Sequence, residues 1–206
     1  MFVLTIDQQQ SRRTGDRVDA FLDLLRDAVA GHEDAMVRPF ERTIGDEVQG
    51  LLSSPELAVE LALLALRTGE WQVGIGAGSV DEPLPSSTRA ATGAAFVHAR
   101  EAVERARSRS RLVPLAVGGE DSAGARDAEA VLRLIGAVAA RRTSAGWAAI
   151  DAFRAGTGPR QEDIATRLGI TQQAVSQRLK TALWAEEAAA RPLAAALLTR
   201  AEGAGS

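Results

Sequence analysis

The stretch PRQEDIATRLGITQQAVSQRLK, residues 159–180, has the spacing of two short helices that meet at a sharp corner. Arg160, Gln161, Glu162 and Asp163 open the first helix, with acids in the turn where the helix dipole favours them. Ile164, Ala165 and Leu168 make a narrow apolar stripe. Gly169 follows where a helix commonly ends in a left-handed residue. Ile170 fills the corner, Thr171 suits the N-cap of the next helix, and Val175 and Leu179, four apart, give that helix an inward face. Small Ala165 lets the two helices cross closely. The combination predicts a helix-turn-helix over residues 160–180, with the second helix continuing over 171–183.

Gln172, Gln173, Ser176 and Gln177 occupy the outward positions early in that second helix. Amide side chains pair bidentately with adenine, and the N-terminal residues of a recognition helix are those that reach base edges. Arg178 and Lys180 suit phosphates, which supply most of the salt-dependent affinity. Arg160 and Thr171 complete the expected contacts, and the expected partner is double-stranded DNA. No two-strand alternation follows, so no wing is predicted. Charge distribution agrees: residues 1–118 hold 13 basic and 17 acidic side chains, whereas residues 154–180 hold five basic and two acidic. A local excess of three positive charges is a modest footprint for DNA on a chain of net charge −3.

The rest of the composition mainly excludes. With no cysteine among 206 residues, disulfides, thiolate metal sites and cysteine nucleophiles are ruled out. Lys180 is the only lysine, which removes lysine-dependent phosphate loops and Schiff-base chemistry. Residues 1–6 lack the basic start and the length of a signal peptide. The most apolar helix candidate, residues 57–66, carries Glu60 and is too short for a bilayer. A cytoplasmic protein without a membrane partner is expected. His32 and His98 are the only histidines, and neither accompanies a Gly-x-Ser-x-Gly elbow, so hydrolase chemistry is not expected. Gly74, Gly76 and Gly78 alternate with apolar residues, which fits a strand needing close backbone approach better than a phosphate loop.

In chain order, strands are predicted over residues 2–6, 36–43, 47–52, 71–80 and 111–117. Helices are predicted from Asp16 to Gly31, from Ser54-Pro55 to about Gly69, and, after a loop from Asp81 to Thr88, to about Arg107. Beyond Gly118 everything reads as helical: residues 125–140, 144–154, the helix-turn-helix, and a last helix from Pro192. Trp147, Ile150 and Phe153 are expected as core beneath the reading unit, and Trp184 as either core or a dimer contact.

The N-terminal pieces resemble SatD-like proteins. They are Thr5-Ile6-Asp7 with Ser11-Arg12-Arg13, the run from Thr43-Ile44-Gly45-Asp46 to Leu52, Gly74-Ile75-Gly76, and the stretch from Gly93 to Ala102. The C-terminal helices look like the DNA-binding segment of actinobacterial members. A more distant resemblance is to class III nucleotidyl cyclases and GGDEF domains, in which one metal-binding carboxylate ends the first strand and another sits in the β2–β3 hairpin. Asp7 and Asp46 fall at those places. Phe96, however, stands where cyclases carry a transition-state Asn four residues before a helix arginine, here Arg100.

The expected fold is therefore α+β: a ferredoxin-like or cyclase-like βαββαβ domain over residues 1–118, a linker over 119–124, and an all-helical domain over 125–203. The expected function is transcriptional regulation as a homodimer, the N-terminal domain sensing a nucleotide or small-molecule effector or forming the dimer. Two alternatives stay open: a metal-dependent nucleotide binder with a regulatory helical tail, and a helical domain that docks a protein. Asp7 and Asp46 have two readings. They hold Mg²⁺, by their hard oxygen ligands, or Asp46 makes the turn while Asp7 pairs with Arg12 or Arg13. No other cofactor and no catalytic residue is expected.

Overall fold

In the computed structural model, which describes residues 1–107, 112–155 and 160–203, five strands form one sheet in the order β2-β3-β1-β4-β5. These are β1 (Phe2–Gln8), β2 (Met36–Arg42), β3 (Glu47–Leu52), β4 (Trp71–Ala77) and β5 (Leu115–Gly119). β1 pairs antiparallel with both β3 and β4, β2 pairs antiparallel with β3, and β5 alone runs parallel to its neighbour, β4. The helices are α1 (Ser11–Thr14), α2 (Val18–Val29), α3 (Pro55–Thr68), α4 (Ala94–Ala106), α5 (Ser122–Ala139), α6 (Ser144–Arg154), α7 (Gln161–Leu168), α8 (Gln172–Thr181) and α9 (Trp184–Ala201). The protein is thus mixed α and β, with helices on both faces of the sheet.

Alternation along β1 decides the layers. Phe2, Leu4 and Ile6 point into the main core with α2, α3, α5 and α9, while Val3 points the other way to Ala95, Phe96 and Ala99 of α4. Thr5, on the α4 side, is buried but satisfied, accepting from Gln49 Nε2 at 2.8 Å. α4 lies almost on the backbone of β4. A Cβ on Gly74 would come within 2.4 Å of Ala99 O, and one on Gly76 within 2.0 Å of Ala95 O. The alternating glycines are therefore a seat for α4, as a strand built for close approach requires.

Several expected boundaries move. The polar stretch from Gln8 to Gly15, which the sequence reads as a loop, contains the end of β1 and the short α1; β4 ends at Ala77, before the expected 80; β5 ends at Gly119 rather than 117. Arg111 and Pro159 lie outside the described residues, as does the side chain of Arg12. The expected linker over 119–124 contains the end of β5 and the cap of α5, whose Asp121 accepts from Ala123 and Gly124 N–H at 2.8 and 3.1 Å. α5 and α9 then pack on each other, on α3 and on the sheet, so Ala128, Leu132, Ala194 and Leu198 share one core with Phe2 and Leu4. The second expected helix stops at Thr181 instead of 183. Leu183 is left-handed there (φ 51°), and α9 starts at Trp184 and runs through Pro192. Proline forfeits a helical hydrogen bond, but buried side chains on both sides of it, from Glu187 to Ala201, hold the helix.

Candidate nucleic-acid interface

α6, α7 and α8 pack on one another as a three-helix unit with its own small core: Ala152, Ile164, Ala165 and Val175, bordered by Phe153, Leu168, Ile170 and Leu179. Local chemistry sets both ends of the corner. Asp163 Oδ2 accepts the Arg160 N–H at 3.1 Å at the start of α7. Gly169 ends α7 in the left-handed region (φ 62°, ψ 36°), and the Thr171 hydroxyl accepts the Ala174 N–H at 3.1 Å at the start of α8. Since Gly169 has open space around it, a side chain there is opposed only by its backbone conformation. Gly169→Val is expected to cost about 1–2 kcal/mol from that strain and to misalign α8. Chemical denaturation together with DNA titration checks this; full binding by a folded variant would disprove the importance of the corner.

With Val175 fully buried, the opposite face of α8 is set outward. Gln172, Gln173, Ser176, Gln177 and Lys180 are exposed, Arg178 is half-buried, and Thr171 and Arg160 are exposed at the two helix starts. The Gln177 amide also reaches the Thr181 hydroxyl within the helix, at 3.3 Å. Arg160, Arg167, Arg178 and Lys180 make no ion pair among the described residues. Arg154 is different: it pairs with Glu60 of α3 and so adds nothing to the footprint. Sequence reading missed Arg141. It lies in the turn before α6 and shares with Gln177, Arg178 and Thr181 a cavity of ≈150 Å³. Nothing in the spacing of a turn arginine marks that proximity.

The unit is fastened to the sheet side by charge. Arg67 of α3 donates to both oxygens of Asp151 at 2.6 and 2.7 Å. Its guanidinium lies 4.1 Å from the Trp147 ring, with Arg142 at 4.9 Å. Trp147 is thus held by arginines rather than buried beneath the unit, while Ile150 is buried and Phe153 borders the small core. Trp184 meets Phe153 edge-on at 6.1 Å, an intramolecular contact. A buried ion cluster closes the junction. Glu187 of α9, its side chain 3% exposed, contacts Arg142 Nη1 at 2.5 Å and Arg191 Nη2 at 2.6 Å. The Arg142 contact is an ion pair outside hydrogen-bond angles, but Arg142 Nε donates to Ala182 O at 2.7 Å, tying the α5–α6 turn to the α8–α9 turn.

At the other candidate site, Asp7, next to last in β1, lies opposite Glu47, and Asp46 lies in the adjoining turn. Asp7 pairs with Arg107 from the end of α4, at 3.2 Å to each oxygen, and not with Arg13. Burial pushes its pKa above the ordinary carboxylate value; Arg107 opposes this, and the nearby Asp46 and Glu47 carboxylates add to it. Arg107 supplies the counter-charge that a cation would bring to Asp7. Among the described residues no group of three or more His, Cys, Asp or Glu side chains is placed to hold a metal. Nor is any helix among them long and apolar enough to cross a membrane. No protein-family model matches the chain, and no curated protein sequence matches it, so geometry carries the functional reading.

Proposed function

We propose that the chain is a sequence-specific DNA-binding protein, a transcriptional regulator in which α7 and α8 act as a helix-turn-helix and α8 enters the major groove. One observation carries this reading: a capped three-helix unit buries Val175 and leaves Gln172, Gln173, Ser176, Gln177 and Lys180 exposed along one helix. Three outward amides at the start of a helix are the side chains that pair bidentately with adenine edges. Arg178 and Lys180 hold phosphates, joined by Arg160 and by Arg141 across the small cavity. One short helix contacts few bases, so a homodimer reading paired half-sites belongs to the proposal. The βαββαβ order of the first four strands supports a ferredoxin-like sheet domain, and the SatD-like resemblance belongs to the same reading.

Selection of binding sites from random duplexes, followed by titration of the full chain at several salt concentrations, tests this. Gln173→Ala is expected to cost roughly 1–3 kcal/mol at one operator position. Arg178→Ala is expected to weaken all sequences alike and to flatten the salt dependence. If the folded full chain binds no duplex above background at low salt, the proposal is wrong. A protein target captured with little salt dependence would point instead to a docking module.

A further inference from the structure

A cavity of ≈580 Å³ opens along the free edge of β5, between α4 and α5. Its charged lining is His98, Glu101 and Arg105 from α4, and Arg126, Glu129 and Arg133 from α5. This edge is closed to another strand. Val117 N–H donates to Glu129 Oε2 at 3.0 Å, and Val117 C=O accepts from Arg105 Nη2 at 2.7 Å. Side chains that satisfy an edge in this way block strand addition and leave a polar chamber beside it.

Among the described residues of the chamber cations outnumber acids, three guanidiniums against two carboxylates. Glu129 is also stretched thin. It serves the Val117 N–H, stands 3.5 Å from Arg105, and reaches Arg133 only at 3.8 Å. Arg133 Nε is buried without an acceptor, a cost that a better-placed anion would remove. Arg126 is exposed, and its one hydrogen bond among the described residues is to the Ser122 hydroxyl, at 3.3 Å. Planar guanidiniums bind phosphate oxygens in pairs. The volume lies in the range of small-molecule sites.

We propose that this cavity binds a small phosphorylated ligand, with Arg126 and Arg133 holding its phosphoryl oxygens. A doubly charged oxyanion with several oxygens matches two weakly engaged guanidiniums and the nearby His98 better than one carboxylate does. The regulatory consequence rests on the DNA-binding reading. α5 runs from this cavity to the Arg142–Glu187 pair, so a ligand that draws Arg126 and Arg133 toward α4 shifts the end of the helix on which the three-helix unit is mounted.

Calorimetric titration of the full chain at constant ionic strength tests the site, with pyrophosphate, adenosine 5′-diphosphate and citrate as probes. Saturable binding of a phosphoryl probe is expected, weakened about tenfold or more in Arg126→Gln/Arg133→Gln and unchanged in the remote Arg89→Gln. Preference between the two phosphoryl probes tells a nucleotide from an inorganic or sugar phosphate. No binding by the folded wild-type chain, equal binding by the folded double variant, or equally tight binding of citrate would overturn the proposal. Operator affinity measured on the same samples separates the two readings. Ligand binding without DNA binding removes only the DNA-binding reading; DNA binding without ligand binding removes only the cavity.

Discussion

Glu187→Ala is expected to destabilise the protein by about 3–5 kcal/mol, the usual cost of stripping the partner from a buried charge. Arg142 is the reason. Its side chain is 1% exposed, and Glu187 is its only carboxylate contact among the described residues. Arg191, which is 21% exposed, can turn to water, but Arg142 cannot. The measurement is the urea midpoint of wild type and variant. A companion, Arg142→Leu/Glu187→Leu, removes both charges and is expected to recover much of the loss, since apolar replacement of a buried pair is often neutral. A wild-type midpoint for Glu187→Ala would show that water reaches the cluster. In a folded Glu187→Ala sample, the α8–α9 junction keeps the Arg142 Nε–Ala182 O bond but loses the ion pair beside it, so DNA affinity is expected to fall with no change to any base-reading side chain.

The second large effect lies in the sheet. Gly76→Val is expected to cost about 3 kcal/mol or more, at or beyond the upper end of ordinary overpacking. The added Cβ alone would sit 2.0 Å from Ala95 O and 2.3 Å from Ala99 N, and both obstacles are backbone. α4 has to lift from β4, which also opens the packing of Val3 and Leu51 against Ala95 and Ala99. Thermal unfolding followed by circular dichroism reads the loss. An unchanged melting temperature would mean that α4 is not seated on the glycines of β4.

Much of the local structure was legible because its causes lie within a few residues. Ser54-Pro55 starts α3 and Gly69 ends it, as read, with the Ser54 hydroxyl accepting from Leu57 N–H. β3 falls on residues 47–52, and the corner at Gly169 and Thr171 has the predicted backbone and cap. The same locality made α7 and α8 readable, down to which face of α8 is inward.

What lay beyond reach was the identity of partners far along the chain. Periodicity says that one face of a helix is buried but not what covers it. α5 and α9 therefore read as members of a separate helical domain, although they complete the main core against the sheet. Asp7 suggested a neighbour at Arg12 or Arg13, yet the guanidinium that meets it comes from Arg107, a hundred positions away. Arg141 beside α8, the Arg142–Glu187 pair and the chamber between α4 and α5 have the same origin. By itself the sequence determined the mixed α and β class, the strand and helix order, and the caps and corner of the three-helix unit, because short-range hydrogen bonding and φ preferences specify those. Tertiary structure alone decided the sheet order, the return of α9 to the core and the burial of the Arg142–Glu187 pair, because each depends on which apolar faces and charges meet once water has been driven from between them.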